Sequence, residues 1–273
     1  MKKKSVISLI SYDAEYLPRS IKTYYDYVDE IILGLDEDRI TWSGNKFSFD
    51  EGGLYRALKE IDYDNKISIV EDNFHKSKVA IENDNYERNF LKSHCSHDWV
   101  FSIDADEELV NPKDFFLRYL PLAEKYYNKI DLSFSWFLPY KEFNDCYLVI
   151  ANQDGSWSRG DTQGFVTHKD NHFTYCRWTN NKKIVLSPLC ILHWSFCRSE
   201  KKLDQKLNNF GHSDKVGKDP FFDIWKQINL SNYTQLTNFK TSGFGNNQWE
   251  KLIVVSKEQL VKKALEESKR VFA

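Results

Sequence analysis

Four acidic residues in five positions follow a short apolar run near the middle of the chain. The run 100–103 has the β-branched and aromatic character of a buried strand, and it leads into Asp104, Asp106, Glu107 and Glu108. In open α/β sheets, ligands gather at the carboxyl ends of strands. Two carboxylates one residue apart at such an end can share Mg²⁺ or Mn²⁺, with phosphate oxygens completing the coordination shell. A solvated acidic turn at the start of a helix would use the same residues, so both interpretations stay open.

Other polar residues could complete such a site. Asp36 ends another apolar run, where a carboxylate could bind a ribose hydroxyl or simply cap a turn. His193 lies inside an apolar run, where a histidine is most often a core residue, but it is also a candidate third metal ligand. Arg198, Lys206 and His212 follow within twenty positions and could neutralise a diphosphate or form a solvated helix face.

Regular elements that could position these residues are predicted for the first 110 residues. Apolar runs at 5–11, 31–35, 66–70 and 99–104 predict four strands, and one-sided apolar patterns at 17–28, 54–61 and 79–94 predict helices between them. Alternating strands and helices predict right-handed βαβ units in a doubly wound parallel sheet, which is an α/β fold.

The second half of the chain has a weaker pattern. Helices are predicted at 115–127, 199–210 and 256–271, a half-buried strand at 131–139, and one or two strands at 184–194. The region 141–183 predicts irregular structure. The chain lacks a P-loop, a Gly-x-Gly-x-x-Gly turn after the first strand and a Gly-x-Ser-x-Gly motif, which argues against P-loop nucleotidases, dinucleotide-binding enzymes and α/β-hydrolases.

Composition narrows the class of protein further. The chain of 273 residues is 41% hydrophobic and 29% charged, which is typical of a globular protein, and its net charge of −2 offers no general nucleic-acid surface. Its five cysteines include no Cys-x-x-Cys pair, which favours reduced thiols in the cytoplasm. No stretch approaches the roughly 20 apolar residues of a membrane-spanning helix. We therefore expect a cytoplasmic protein, and this composition is compatible with peripheral contact at the inner face of a membrane.

The order and spacing of several blocks resemble family 2-type glycosyltransferases with the GT-A fold, of the bacterial surface-polysaccharide or lipopolysaccharide type. The similar blocks are Ser11–Leu17, Val28–Ile32 with Asp36, Glu87–Leu91, Trp99–Glu108, and Leu192–Ser195 with Arg198, Lys206 and His212. Together they span roughly residues 5–110 and 190–213. Two departures stand out. The chain has Asp36-Glu37-Asp38-Arg39 where the family usually has Asp-Asp or Asp-Ser-Gly-Ser, and the region 140–183 shows no match.

The resemblance implies a mixed GT-A-like sheet whose domain covers residues 1–213. A Rossmann-like nucleotide-sugar-binding half would occupy 1–110, an acceptor half 111–213, and a partly helical extension 214–273. In the site, the resemblance implies that Asp104 and Asp106 hold Mn²⁺ or Mg²⁺ with His193 completing the shell. The donor-binding residues would be Ser11, Tyr12, Glu15, Asp36, Arg88 and Asp104. Asp161 would be the catalytic base, with Asp154 and Glu142 as alternatives.

The implied reaction moves a hexose-type sugar from a UDP- or GDP-sugar to a hydroxyl of a glycan or lipid-linked acceptor, with inversion, in polysaccharide biosynthesis. Two other functions stay open. A nucleotidyltransferase uses a similar sheet, but it would normally carry a glycine-rich basic loop where this chain has Tyr12-Asp13-Ala14-Glu15. A non-catalytic carbohydrate-binding protein could retain the same fold.

Overall fold

The computed structural model describes residues 2–126, 130–158, 163–213, 221–240 and 248–270. The strands in these ranges are β1 (Lys4–Ile10), β2 (Glu30–Asp36), β3 (Ile67–Asp72), β4 (Trp99–Ser102), β5 (Glu107–Leu109), β6 (Asp131–Phe137), β7 (Pro139–Glu142), β8 (Cys146–Ala151), β9 (Gln163–His168), β10 (Phe173–Tyr175), β11 (Trp178–Thr179), β12 (Ile184–His193), β13 (Phe239–Lys240), β14 (Gln248–Trp249) and β15 (Lys251–Ser256). The α-helices are α1 (Leu17–Lys22), α2 (Glu51–Ile61), α3 (Ala80–Ser93), α4 (Pro112–Asp114), α5 (Leu120–Tyr126), α6 (Glu200–Asn209), α7 (Phe221–Gln227) and α8 (Leu260–Arg270). A π-helical turn, Phe115–Tyr119, joins α4 to α5.

A mixed sheet forms the centre of the fold. Within the described residues it has eight strands, in the order β3-β2-β1-β4-β9-β6-β12-β5. The strands β3, β2, β1 and β4 are mutually parallel, and β6 is parallel to β12. Because β9 is antiparallel to both β4 and β6, those two groups point the same way. The carboxyl ends of β1, β2, β4, β6 and β12 therefore lie at one edge of the sheet.

The two faces of the sheet are covered by different helices. Val6 of β1 packs in one apolar cluster with α1 and α2, whereas Ile7 packs in another cluster with Leu91 of α3. Successive strand residues point to opposite faces, so this near-continuous apolar run buries both sides of β1. The predicted α/β class is confirmed: the four strands β1 to β4 are parallel, as their pattern predicts, and the whole sheet is mixed, as the resemblance implies.

The C-terminal part of the chain contacts this sheet and completes a second one. β15 pairs with β8, and β8 pairs with β7, in a three-stranded antiparallel sheet. The α8 helix packs on β12, where the Cys190 thiol lies 3.4 Å from the carbonyl oxygen of Ala264. The division of the chain at residue 213 stays a prediction.

The irregular structure predicted for 141–183 is wrong. This region contributes β8, the central strand β9 and the hairpin β10–β11. These strands are short, and β9 is stabilised by pairing with β4 and β6, which are distant in sequence. The local pattern of apolar residues therefore does not predict this pairing.

All five cysteines are free thiols. Among the helices that the structure describes, we find none with the length and apolar character needed to cross a membrane.

Candidate active site

A cavity of about 460 Å³ opens at the carboxyl edge of the central sheet. Ser11 and Tyr12 after β1, Asp36 at the end of β2, Asp104 after β4, and His193 at the end of β12 all line it. Pockets of this volume and position commonly hold small-molecule ligands. The parallel strands thus bring together residues that lie up to 182 positions apart, from Ser11 to His193.

Asp104 lies between two arginines. Its Oδ1 accepts a hydrogen bond from Nη2 of Arg88 at 2.9 Å, and Nη2 of Arg177 lies 3.8 Å from its Oδ2. Arg88 is itself held by Asp84, one turn earlier on α3, at 2.5 Å and by the Ser102 hydroxyl at 2.6 Å. Burial acts to raise the pKa of Asp104, but the two guanidinium groups outweigh it and lower that pKa to about 2. Asp104 is therefore ionised at neutral pH.

Asp106 lies deeper and has a second set of cations around it. Its Oδ2 accepts from Nζ of Lys206 at 2.7 Å and from Nη2 of Arg198. Its Oδ1 lies 3.5 Å from Nε2 of His193. Burial acts to raise the pKa of Asp106, but Lys206, His193 and Arg198 together hold that pKa well below its usual range. Nη2 of Arg198 also donates to Asp13 at 3.1 Å, which ties the loop after β1 to the same group.

The atoms around Asp106 could supply some of the ligands of a divalent cation, but not all of them. Ionised carboxylates and an imidazole are suitable ligands for Mn²⁺ or Mg²⁺. The 3.5 Å between Asp106 Oδ1 and His193 Nε2 would let both atoms contact one ion. In the described ranges, however, no group of three or more His, Cys, Asp and Glu side chains could hold a metal ion. The predicted ligands Asp104, Asp106 and His193 all line the cavity but do not form a complete metal site, so an ion here would need further oxygens from a bound ligand.

The residues expected to bind the donor differ in where they lie. Ser11, Tyr12, Asp36 and Arg88 line the cavity, but Glu15 does not. Residues Ala14–Tyr16 form a 3₁₀ turn that buries Ala14 and points Glu15 outward, where it pairs with Lys202 at 2.9 Å. The structure therefore gives no support to a donor-binding role for Glu15.

Asp36 shapes the loop that follows β2. Its Oδ1 accepts from the backbone N–H groups of Asp38 at 3.0 Å and Ile40 at 2.8 Å, and its Oδ2 accepts from the N–H of Phe74 at 2.8 Å. These bonds hold the chain entering Thr41 and Trp42, which also line the cavity. Asp36 thus positions this wall of the cavity and borders it as well.

Glu87 is a cavity residue that the sequence analysis did not assign to the site. Its Oε2 accepts from Nε1 of Trp42 at 2.7 Å, and its side chain lies against Gly34 of β2. Burial raises the pKa of Glu87 to about 8, despite the opposing effects of Trp42 and Arg88. The helical spacing of α3 could have indicated that Glu87 is buried. One buried stripe of this helix consists of Asp84, Glu87, Arg88 and Leu91.

The far end of the cavity is largely aromatic. Trp136, Leu138, Phe196 and Trp249 line it, and the rings of Phe196 and Trp249 have their centroids 5.3 Å apart. The Trp136 ring lies 4.5 Å from the His193 ring. The cavity therefore passes from a charged centre to an apolar wall at the ends of β6 and β12.

Two further cavity residues, Cys176 and Arg177, come from the hairpin β10–β11. The thiol of Cys176 lies 3.1 Å from Nε2 of His212, which connects this hairpin to the segment after α6. Arg177 is buried behind Asp104. Neither residue has a spacing that predicts its position, because the hairpin is located by long-range packing.

The predicted catalytic base, Asp161, lies outside the described residues. Ser158, the last described residue before it, lines the cavity. The two alternatives lie elsewhere: Asp154 is exposed and accepts from the N–H of Ser156 at 2.8 Å, and Glu142 pairs with Lys257 at 2.5 Å. Neither borders the cavity, so Asp161 stays the prediction.

Comparisons with known proteins give weak similarities. No family model matches the sequence, and no match is found among curated proteins. Among solved structures, the mannosyltransferase PcManGT from Pyrobaculum calidifontis, in complex with GDP-Man and Mn²⁺, is 15% identical over 49% of this chain and 35% of its own, with a TM-score of 0.36. S. aureus TarS 1–349 is 12% identical over 84% of this chain and 76% of its own, with a TM-score of 0.40. At these TM-scores the similarities carry no argument about function.

Proposed function

We propose that this chain is a metal-assisted glycosyltransferase that moves a sugar from a UDP- or GDP-sugar to a hydroxyl of a glycan or lipid-linked acceptor. The supporting observation is that two ionised carboxylates, Asp104 and Asp106, meet Arg88 and Lys206 at one cavity. Carboxylates can hold a divalent cation, and the cationic side chains can bind phosphate oxygens. A binding site for a nucleoside diphosphate needs both a divalent cation and cationic side chains.

The shape of the cavity supports an elongated ligand. Its wall includes residues at the ends of β2 and β6, which are separated by β1, β4 and β9. Four strand spacings amount to about 19 Å. A nucleotide sugar has its base, diphosphate and sugar in a row, so we place the base near Trp42, the diphosphate near Lys206 and the transferred sugar toward Trp136.

The chain's own residues would have distinct tasks in the reaction. Lys206 and Arg88 bind and neutralise the departing diphosphate. Asp106 and His193 would hold Mn²⁺ or Mg²⁺ together with oxygens of the bound diphosphate, and the ion would supply Lewis-acid stabilisation of the leaving group. The acceptor oxygen bonds to the anomeric carbon as the bond from that carbon to the phosphate oxygen breaks. The electron pair leaves with the nucleoside diphosphate, and a carboxylate, Asp161 in this proposal, takes the acceptor proton with inversion at carbon.

The test is release of nucleoside diphosphate from a panel of nucleotide sugars with Mn²⁺, comparing wild type with Asp106→Asn. The matched control is Asp114→Asn, because Asp114 is an exposed acid paired only with Arg118 in the contacts described. We expect one donor to be cleaved by the wild type and the control, and the Asp106 variant to lose most of that activity. Cleavage that survives in Asp106→Asn would contradict the proposal.

Two other results would assign the chain elsewhere. Formation of nucleotide sugar with release of pyrophosphate, from a sugar phosphate and a nucleoside triphosphate, would identify a nucleotidyltransferase. Binding of a glycan without binding of any nucleotide would identify a carbohydrate-binding protein. Thermal stabilisation by UDP or GDP decides the second case, since a ligand at 100 times its dissociation constant adds about 2.7 kcal/mol to the free energy of unfolding.

A further inference from the structure

Glu107 is a fully buried carboxylate that forms hydrogen bonds to the acidic turn and to Trp136 of β6. Its Oε2 accepts from the backbone N–H of Asp104 at 3.0 Å, and its Oε1 accepts from Nε1 of Trp136 at 2.5 Å. Its own N–H donates to the carbonyl oxygen of Asp104 at 3.1 Å. Residues Asp104 and Glu107 are therefore bonded to each other twice, which fixes the backbone that carries Asp104 and Asp106. Glu107 itself does not border the cavity.

Arg177 supplies the charge that makes a buried Glu107 tolerable. Its Nη1 and Nη2 donate to the two carboxylate oxygens of Glu107 at 2.8 and 2.9 Å, and Nη1 also donates to the carbonyl oxygen of Ser102 at 3.2 Å. The guanidinium carbon lies 5.0 Å from the Trp136 ring. Such a bidentate pair fixes direction as well as charge. Because Nη2 also faces Asp104, one guanidinium group connects both acids.

A glycine allows the hairpin that carries Arg177 to pack closely against the central sheet. A Cβ atom built on Gly164 of β9 would lie 2.3 Å from the carbonyl oxygen of Arg177. The backbone of the hairpin therefore packs directly on the central sheet, and no larger residue leaves room for this contact. The contact holds the backbone of Arg177 close to β9.

We propose that Glu107 and Arg177 are positioning residues for the reaction proposed above. They hold the turn from Asp104 to Asp106 in the conformation that presents both carboxylates to the cavity. The inference rests on the proposed function for its catalytic meaning, whereas the control of turn geometry stands on the contacts alone. Mutation of a residue that orients a metal ligand typically lowers metal affinity or activity by roughly 10- to 100-fold.

The experiment compares Arg177→Lys with Arg118→Lys, since Arg118 forms an exposed pair with Asp114. Lysine keeps the charge but loses the bidentate fork. Amide hydrogen exchange reports on the turn without any substrate. We expect the Asp104 amide to exchange about tenfold faster in Arg177→Lys, as for loss of one charge-assisted hydrogen bond. The neighbouring Ile103 amide, which donates to Ile7 at 3.1 Å, should be unchanged and serves as the internal reference.

Activity gives the second measurement. If the wild type cleaves a donor, Arg177→Lys should lower kcat/KM by roughly 10- to 100-fold, while Arg118→Lys stays at the wild-type value. Gly164→Ala should act in the same direction through its clash with the hairpin, and it serves if Arg177→Lys does not fold.

Equal acceleration of the Ile103 and Asp104 amides would mean general loosening of the sheet and would overturn the inference. So would wild-type exchange at Asp104. A wild type that cleaves no donor and binds no nucleotide would sink the proposed function, and the exchange data would still decide whether this pair controls the turn.

Discussion

Lys206 Nζ lies 2.7 Å from Asp106 Oδ2, although a hundred positions separate the two residues. The pair joins the middle of α6 to the turn after β4. Asp106 is 2% exposed, so its carboxylate depends on this ammonium group and on Arg198 for compensation of its charge. The same Lys206 borders the cavity, where it can bind a ligand phosphate.

Replacing Lys206 with Met should weaken donor binding and also lower the free energy of unfolding, because the buried Asp106 loses one of its charged partners. The methionine fills similar volume, and Arg198 still compensates Asp106, but one phosphate-binding charge is lost. We expect the dissociation constant for the donor to rise by about tenfold or more, as for loss of one charge-assisted contact. Isothermal titration calorimetry with UDP or GDP measures this.

The control for that variant is Lys201→Met, on the same helix. Lys201 is exposed and does not border the cavity. A loss of affinity equal in the two variants would show that general charge, rather than the position of Lys206, governs binding.

Asp104 should make stability depend on pH in the acid range. Its pKa is about 2 in the fold and 3.8 as a free side chain, so the unfolded state takes up its proton first as the pH falls. The stabilisation is complete above about pH 4 and is lost as the pH falls through about 2; its size is about 2 kcal/mol. Urea unfolding of wild type and Asp104→Asn should therefore give free energies that converge between about pH 5 and about pH 2. A difference that is constant with pH would contradict the ion-pair assignment.

Glu87 should give the opposite pH dependence. Its pKa is 4.5 as a free side chain and about 8 in the fold, so the folded state keeps a proton that the unfolded state loses. Stability from this group is therefore lost as the pH rises from 4.5 to about 8. Glu87→Gln removes the cost while keeping an acceptor for Trp42, so the variant should be more stable than wild type above about pH 8, by on the order of 1.4 kcal/mol for each unit of pKa shift, and similar to it near pH 4.5.

The exposed Glu82, on the same helix, provides the control for Glu87. Glu82→Gln should change the free energy of unfolding little at either pH. Equal effects of the two substitutions would mean that burial at position 87 is not the cause.

Two glycine substitutions should change the free energy of unfolding in opposite directions. A Cβ on Gly34 would lie 2.6 Å from Oε1 of Glu87 and 2.8 Å from Cδ1 of Leu91, so Gly34→Ala should destabilise the fold by about 1–3 kcal/mol. Gly52, in the first turn of α2, has its nearest neighbour for a Cβ at 3.4 Å, and Gly52→Ala should stabilise by up to about 1 kcal/mol. Chemical denaturation of both variants tests the pair; destabilisation by both would show that packing around α2 is tighter than these distances indicate.

Local pattern was sufficient to predict β1 to β4 and the helices between them, because their apolar residues recur at helix or strand spacing. It also predicted Asp36 and Asp104 at the carboxyl ends of parallel strands and indicated His193 as a candidate third ligand, whereas Ser11 was expected only from the resemblance. It failed for β9 and for the hairpin that carries Arg177, because their positions depend on pairing across long sequence separations. It did not predict that Glu15 faces away from the cavity, because one 3₁₀ turn sets the direction of that side chain, and a donor-binding role for Glu15 stays a prediction.

The insertion of β9 between β4 and β6 affects the order in which the chain can fold during synthesis. β4 ends at Ser102, but β9, the strand that pairs with its outer edge, begins only at Gln163. Until the ribosome has released that later segment, the first half of the sheet presents an unpaired edge beside a buried acidic turn. Unpaired strand edges can pair with other chains, so we expect a fragment that ends after α5 to aggregate rather than fold.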